Sequence, residues 1–347
     1  CDIKNPDGST FWGDTRGILK SVLNNIDNKG YSCMVGAECE FYLFKTDENG
    51  EPTTIPFDSG GYLDVSPLDK GENVRREICL CLEEMGITPE TSHHEQGPGQ
   101  NEIDFKFSDA LSCADNFITF KTVVKTIAAR NGLFASFSPK PIPDKSGSGL
   151  HINLSLSKNG INVFKLSNDQ HSKIAESFIA GVLQKVPEMT AFLNPIPNSY
   201  DRFGSFEAPK YVSWSYGNRS QLIRIPAAKG EKVRMELRSP DPAINPYLAF
   251  ALVISAGFYG MENELSLPDG VNVDLYTADN SITDNLMMLP ENMEKALKLA
   301  EKSEFVKGVI GPEVLSRFIH LKTLELQAFN RAIDKNEYYF NNYFKVI

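Results

Sequence analysis

The chain of 347 residues is 41% hydrophobic and carries a formal net charge of −10 at pH 7. This length is enough to bury a large core, in one large domain or in two. The negative charge argues against nucleic acid as a partner. No apolar run approaches the roughly 20 residues that are needed to cross a membrane.

The six cysteines show no paired C-x2-C spacing typical of zinc sites, and no signal peptide is visible at the start. We therefore expect reduced thiols and a cytoplasmic location, with Cys39 as small core filler. Because the chain begins with Cys1 rather than Met, we expect it to be a fragment or a processed chain.

Long helices alternate with short strands along the chain. Asp14 is placed to cap the first helix and Gly30 to end it. Apolar spacing and turn residues then predict helices over 72–85, 108–130, 170–184 and 246–263, and over most of 290–344. The predicted strands cover 35–44, 103–107, 150–156 and 234–238, and the predicted loops cover 47–69 and 194–218.

Several predicted strands place polar groups on one face and apolar groups on the other. Side chains alternate along a strand, so Glu38 and Glu40 share one face of the first strand. His151, Asn153 and Ser155 share one face of the third strand. An ordinary half-buried sheet would turn these polar faces to water. However, the residues are mostly Glu with one His, rather than Thr, Ser and Lys, which favours a ligand site.

The acidic residues and the histidine form a candidate metal set. They are Glu38, Glu40, Glu95, Glu102, His151 and Glu236. If they converge, their negative charges repel one another unless cations lie among them. Carboxylates with a single imidazole suit Mg²⁺ or Mn²⁺ better than zinc, and six ligands are enough for two such sites.

Four arginines surround one of these carboxylates. The strand 234–238 has the sequence RMELR, so Arg234 and Arg238 flank Glu236, and Arg219 and Arg224 precede them. A lone R-x-E-x-R is typical of a salt-bridged surface strand. Four guanidiniums exceed what one carboxylate needs, and they bind phosphate and carboxylate bidentately. Since no GxxxxGK[ST] or GxGxxG loop is present, metals and arginines would hold the phosphates of a phosphoryl-transfer substrate.

At these residues the chain closely resembles glutamine synthetase. The matching blocks are GAECEF (36–41), HHEQGPGQNEIDF (93–105), PKP with GSGLH (139–151), NSYDR (198–202), FEAP (206–209), NRSQLIRIP (218–226) and RMELRSPDPAINPYLA (234–249). They occur in the family's order and span essentially the whole chain, beginning where the family's catalytic domain begins. The family's N-terminal β-grasp domain is not among them.

The resemblance implies a fold and a role for each candidate residue. The fold is a single α/β catalytic domain over 1–347, with an antiparallel, barrel-like sheet whose polar inner face binds metal and whose outside is flanked by helices. One metal is implied at Glu40, Glu95 and Glu102, and a second at Glu38, His151 and Glu236. Nucleotide binding is implied for Asn153, Ser155, Arg219, Arg224 and Arg234, and glutamate binding for Gly147, Arg202 and Arg238. Arg219 and Glu207 are the implied catalytic residues, Glu207 as the flap carboxylate that takes a proton from ammonium.

The implied activity is ATP-dependent ligation of glutamate and ammonia to glutamine through γ-glutamyl phosphate, with two Mg²⁺ or Mn²⁺ ions. The partners are small molecules, namely glutamate, ammonia and ATP, without nucleic acid or membrane. The family assembles as a dodecamer of stacked hexameric rings, in which a neighbour's N-terminal domain completes each site. We therefore expect a homo-oligomer, impaired in assembly and glutamine formation if that domain is missing.

Three departures from the family pattern leave alternatives open. Ser146 replaces the usual Asn before GSG. The segment from Arg202 to Glu207 is one residue shorter, with Asp201 where Lys is common. The third departure is that residues 1–347 do not include the N-terminal domain, whose Asp-bearing loop completes a neighbour's site in the family. The amine specificity is therefore open to a γ-glutamyl ligase that uses an organic amine. A non-catalytic nucleotide-binding or regulatory relative is the alternative from a different class.

Overall fold

The computed structural model describes residues 1–165 and 172–347. The α-helices of this part are α1 (Thr15–Asp27), α2 (Glu72–Glu84), α3 (Ala110–Arg130), α4 (Lys173–Leu193), α5 (Pro246–Glu262), α6 (Asn280–Thr283), α7 (Met293–Lys302), α8 (Glu304–Ile310), α9 (Pro312–Arg331) and α10 (Lys335–Tyr339). The strands are β1 (Tyr31–Thr46), β2 (Pro52–Pro56), β3 (Pro89–His94), β4 (Gln100–Phe105), β5 (Ser108–Asp109), β6 (Leu133–Ser136), β7 (Leu150–Lys158), β8 (Ile161–Asn162), β9 (Trp214–Tyr216), β10 (Ile223–Ile225) and β11 (Met235–Leu237). Short 3₁₀ turns cover Pro197–Arg202 and Gly230–Lys232, and a π-helical turn covers Phe340–Phe344.

All the strands belong to one sheet, with the order β3-β4-β1-β7-β11-β10-β9. The short strands β2, β5 and β6 also pair with β1, and β8 pairs with β7. The pairs are antiparallel except β9 and β10, which are parallel. The predicted mixed α/β fold with an antiparallel sheet and flanking helices is confirmed. Within the described residues the pairing path does not return from β9 to β3, so the sheet is open rather than a closed barrel.

The central strand β1 separates the core from the polar face. Val35, Ala37, Cys39 and Phe41 are buried in alternation along it, and the residues between them are only partly buried. This period of two is what a strand with one core-facing side requires, and it confirms the prediction for Glu38 and Glu40, including Cys39 as core filler. Helix α3 covers the apolar side, where Phe120 makes an edge contact with Phe41.

Helices α4 and α5 pack closely behind the sheet. A Cβ atom on Gly181 of α4 would lie 2.2 Å from the carbonyl oxygen of Ala256, and one on Gly260 of α5 would lie 2.0 Å from that of Ser177. These glycines are therefore needed for the close approach of the two backbones. Helix α4 continues to Leu193, beyond the predicted end at 184, because its last turns are buried against the core. The predicted start at Gln170 lies outside the described residues.

Several sequence predictions need correction. Asp14 lies at the N-cap of α1, but its side chain makes no capping hydrogen bond. The predicted loop 47–69 contains β2, which pairs with β1. The predicted loop 194–218 contains a 3₁₀ turn and β9. These short strands are stabilised by pairing with distant segments, which local composition does not encode. The six cysteines are free thiols. In the described part of the chain, every helix is too short or too polar to span a membrane.

Candidate active site

Strand register brings the candidate ligands onto one face of the sheet. In the β1–β4 pair Glu40 lies opposite Glu102, and in the β1–β7 pair Glu38 lies opposite His151. In the β7–β11 pair Glu236 lies opposite Asn153. Because directly opposite residues of paired strands project to the same side, residues distant in sequence become neighbours.

Glu38, His151 and Glu236 form the first group that could hold a metal ion. One ligand atom from each lies within 4.8 Å of the others. His151 Nδ1 lies 3.3 Å from Glu38 Oε2 and 3.6 Å from Glu236 Oε1. The structure thus brings together all three ligands predicted for one metal.

The second group is His93, Glu95 and Glu102, again with ligand atoms within 4.8 Å. His93 lies 3.7 Å from each of the two carboxylates. The sequence analysis named Glu95 and Glu102 but missed His93. His93 lies opposite Glu102 in the β3–β4 pair, a pairing that the structure shows and the sequence alone does not. Glu40, the third predicted ligand, lies beside this group, where Gln100 Nε2 and the Gly149 N–H donate to its Oε2 at 2.8 and 2.9 Å.

Burial and like charge perturb the carboxyl groups of the site. Burial, and then the charge of Glu95, raise the pKa of Glu40. Burial and the neighbouring Asp104 raise the pKa of Glu102 well above its usual value. Burial opposes ionisation of Glu38, but the hydrogen bond and charge of His151 outweigh it and lower its pKa. Such crowding favours a bound cation, which would relieve the repulsion between the carboxylates.

Glu236 is completely buried between two arginines. Arg224 Nε lies 2.7 Å from Glu236 Oε2, and Arg238 Nη1 contacts Glu236 Oε1 closely. The Arg224 pair is close but not aligned as a hydrogen bond, so Oε2 lacks a hydrogen-bond partner among the described residues. The oxygen of Glu236 that lies near His151 is Oε1, at 3.6 Å from Nδ1. With Glu38 these groups form a set of carboxylate oxygens and one imidazole, which fits a divalent ion.

The remaining arginines differ in how far they are exposed. The side chain of Arg219 is 47% exposed. Arg202 is buried, and its Nη1 donates to the carbonyl oxygens of Ser239 and Pro240 at 3.0 and 3.2 Å. Burial lowers its pKa. A buried, backbone-held guanidinium is preorganised to receive a carboxylate.

Glu207 lies on a strained turn over the site. Phe206 and Glu207 have φ angles of 48° and 63°, which non-glycine residues rarely adopt. Glu207 Oε2 lies 3.3 Å from Arg219 Nη1 and 3.9 Å from Arg238 Nη2. Lys140 Nζ lies 4.6 Å from the centre of the Phe206 ring. The turn therefore places a carboxylate against two of the predicted ligand-binding arginines.

One cavity of about 230 Å³ joins these groups. The predicted site residues that line it are Glu38, Glu40, Glu95, Glu102, Gly147, His151, Arg202, Glu207, Arg219, Arg224 and Arg238. Four predicted residues are not among its lining residues, namely Asn153, Ser155, Arg234 and Glu236. Asn153 and Arg234 lie beside it, because Arg234 Nε donates to Asn153 Oδ1 and Asn153 Nδ2 donates to Glu38 Oε1, both at 2.8 Å. Ser155 lies farther along β7, opposite Met34 of β1.

The cavity also contains residues that the sequence analysis did not single out for the site. Tyr62 lies on the predicted loop, where composition offers no signal, and its ring centre lies 5.9 Å from Arg219 Cζ. Asp104 follows Glu102 by two positions and so shares its face. Burial and the charge of Glu38 raise the pKa of Asp104 to about 7. Alternation along the strand predicted Asp104 on the face of Glu102, but Asp104 was not included in the predicted site.

A sheet face whose acidic groups could hold metal ions next to arginines is typical of enzymes that handle phosphorylated substrates. The family model described as glutamine synthetase, catalytic domain, matches residues 12–341. The glutamine synthetase of Clostridium saccharobutylicum is 46% identical over 99% of this chain and 79% of its own length. That of Methanosarcina mazei is 45% identical over 96% of this chain and 75% of its own.

Solved structures agree with the sequence relatives. A chain named "GmaS/ADP complex-Conformation 1" superposes with a TM-score of 0.85 at 31% identity, covering 96% of this chain and 78% of the other. The Plasmodium falciparum glutamine synthetase superposes with the same TM-score at 25% identity, covering 99% and 81%. The protein is therefore an ATP-dependent ligase that acts on small molecules. It belongs to the glutamine synthetase family.

Proposed function

We propose that this ligase joins glutamate and ammonia to form glutamine, with ATP as co-substrate and γ-glutamyl phosphate as the intermediate. The observation that carries the proposal is the cavity, where acidic residues from both candidate metal groups lie with Arg202, Arg219, Arg224 and Arg238. A small anionic amino acid and the phosphates of a nucleotide are the substrates that this combination of charges favours. The similar chain solved as an ADP complex supports the nucleotide.

Two divalent ions, Mg²⁺ or Mn²⁺, belong to this proposal. Glu38, His151 and Glu236 would hold one, and Glu40, Glu95 and Glu102 the other, with His93 beside it. When bound, such ions neutralise phosphate charge and orient the reacting groups. The carboxylate-rich ligand sets, with one imidazole each, support this choice of metal.

In the first step the side-chain carboxylate of glutamate attacks the γ-phosphorus of ATP, and ADP leaves. Arg202, Arg238 and the Gly147 backbone bind the amino acid. Arg224 and Arg234 bind phosphate, with Asn153 and Ser155 on the nucleotide side. Arg219 is more exposed than Arg202 and Arg238, so its guanidinium is free to follow the transferred phosphoryl group and stabilise its developing charge.

In the second step ammonia attacks the acyl carbon, the bond between that carbon and the phosphate oxygen breaks, and phosphate leaves. Glu207 accepts the proton that ammonium must lose, and its turn closes the cavity against water. Residues 1–347 act in this scheme as one catalytic domain within a homo-oligomer. The proximity of Glu207 to Arg219 and Arg238 supports its place beside the reacting groups.

The test is turnover of ATP by the natural full-length protein, with glutamate and a panel of amines. We expect phosphate release and glutamine formation with ammonium, and loss of both when EDTA removes divalent ions. Preferred use of an organic amine would replace the proposal by the γ-glutamyl ligase alternative. Failure to turn over ATP with glutamate and any amine would contradict the proposed reaction.

A further inference from the structure

Gln100 is a completely buried residue whose amide lies between Glu40 and Gly147. Its Nε2 donates to Glu40 Oε2 at 2.8 Å and to the Gly147 carbonyl oxygen at 3.1 Å. Its Oε1 accepts from the Gly97 N–H at 2.8 Å. One side chain thus joins a proposed metal ligand to the glycine loop proposed to bind glutamate.

The orientation of this amide follows from its partners. The Gly97 backbone N–H can only donate, so the atom that faces it must be the amide oxygen. The two atoms facing the other end, a carboxylate oxygen and a carbonyl oxygen, can only accept. Gln100 therefore presents its two N–H donors to Glu40 and Gly147, and the flipped amide would lose all three hydrogen bonds.

The same contacts fix the direction of the Glu40 carboxylate. Oε2 receives two donors, Gln100 Nε2 and the Gly149 N–H. The other oxygen, Oε1, lies on the side of Gly149 where His151 also lies. A Cβ atom on Gly149 would lie 3.2 Å from Glu40 Oε1 and 3.1 Å from His151 Nε2. Because Oε2 is occupied by hydrogen bonds, Oε1 is the oxygen available to a cation.

We infer that Gln100 is a positioning residue that aims Glu40 Oε1 at the cation and holds the Gly147 carbonyl for the amino acid. This inference rests on the proposed function. Partners behind a metal ligand orient it, and replacing them costs about 10–100-fold in metal affinity or activity. Gln100 does not itself touch the substrate in this role. It acts through Glu40 and Gly147.

Two substitutions separate the roles of shape and of hydrogen-bond donation. Gln100→Glu keeps the shape and the acceptor for Gly97 but places an oxygen against two acceptors. Gln100→Met removes the donors, and with them the acceptor for Gly97, without adding charge. Gln327→Glu is the charge control for Gln100→Glu, because Gln327 is exposed on α9 and is not among the residues that line the cavity. The control therefore adds the same charge away from the site.

The experiment measures Mn²⁺ binding to the metal-free protein by calorimetry, the melting temperature of the metal-free forms, and the KM for glutamate. We expect both Gln100 variants to bind Mn²⁺ about 10–100-fold more weakly at one of the two sites and to show a raised KM for glutamate. Gln327→Glu should keep the Mn²⁺ affinity of the wild type. If Gln100→Met lowers the melting temperature but leaves the Mn²⁺ affinity and the KM for glutamate unchanged, Gln100 has only a structural role and the inference is wrong.

The controls also separate this inference from the proposed function. If the wild type shows no saturable Mn²⁺ binding, the two-metal function is wrong and this inference is wrong with it. If the wild type binds two ions and both Gln100 variants bind them equally well, only the positioning role is wrong.

Discussion

Nδ1 of His151 lies 3.3 Å from Oε2 of Glu38, although 113 positions separate the two residues in the chain. The contact exists because β1 and β7 pair with these residues directly opposite each other. Neither residue forms a site alone, and Glu236 from a third strand completes the group. Strand register therefore assembles the site from residues that are distant in the sequence.

Glu236→Gln should remove one of the two divalent sites and destabilise the protein. The change leaves Arg224 and Arg238 beside a buried neutral amide, and breaking a buried ion pair on one side costs about 3–5 kcal/mol. Manganese calorimetry and urea unfolding measure the two effects. Glu294→Gln, an exposed carboxylate paired with Lys298, should change neither. If Glu236→Gln still binds two Mn²⁺ ions with unchanged affinity, Glu236 is not a metal ligand.

Gly149→Ala should lower activity about 100-fold while the protein remains folded, because small misplacements of reacting groups have effects of this size. The new Cβ would lie 3.1 Å from both Arg202 Nη2 and His151 Nε2, and Arg202 is held by backbone carbonyls. Steady-state turnover and circular dichroism measure the outcome.

The matched control is Gly308→Ala, where a Cβ meets no atom within 4 Å inside α8. It should keep full activity and raise the free energy of unfolding by about 0.4–1 kcal/mol. Full activity in Gly149→Ala would show that the space beside Gly149 is not needed for the reaction.

Arg219→Lys should lower kcat about a thousandfold with little change in ADP affinity. Lysine keeps the charge but loses the planar fork that follows the phosphoryl group in the transition state. Turnover and ADP calorimetry give the two quantities. Arg130→Lys, at an exposed arginine paired with Glu77, is the control. Equal losses in kcat and ADP affinity would identify Arg219 as an ordinary phosphate anchor.

Lys121 should make stability depend on pH in the alkaline range. Its Nζ donates to the Pro242 carbonyl at 2.7 Å and lies 5.0 Å from the centre of the Phe137 ring. Burial lowers its pKa from 10.5 to about 8. Between these values the unfolded chain holds a proton that the folded chain has lost, so this group makes the free energy of unfolding rise with pH.

Urea unfolding of wild type and Lys121→Met, at pH values between about 7 and 10, tests this. The free energy of unfolding of the wild type, minus that of Lys121→Met, should increase as pH rises above 8. Titratable groups that both proteins share contribute equally to the two values and so do not affect this difference. Lys298→Met, at an exposed lysine, should show no such shift. A difference that stays constant with pH would contradict the lowered pKa of Lys121.

Many residues of the site were predicted from local patterns in the sequence. The alternation along β1 identified Glu38 and Glu40 on the face opposite Cys39, and the structure confirms that division. Alternation works because a strand turns successive side chains to opposite faces whatever its neighbours are. The arginines around Glu236 were found from their local excess of charge.

The sequence by itself therefore determined which residue types line the site and which faces they share. Only the tertiary structure decided which of them meet. His93 joins Glu95 and Glu102 through the register of β3 and β4, Gln100 joins Glu40 to Gly147 across three segments, and the backbone at Glu207 adopts a left-handed conformation. Register and loop closure depend on contacts between distant segments, whose free energies no local window of sequence contains.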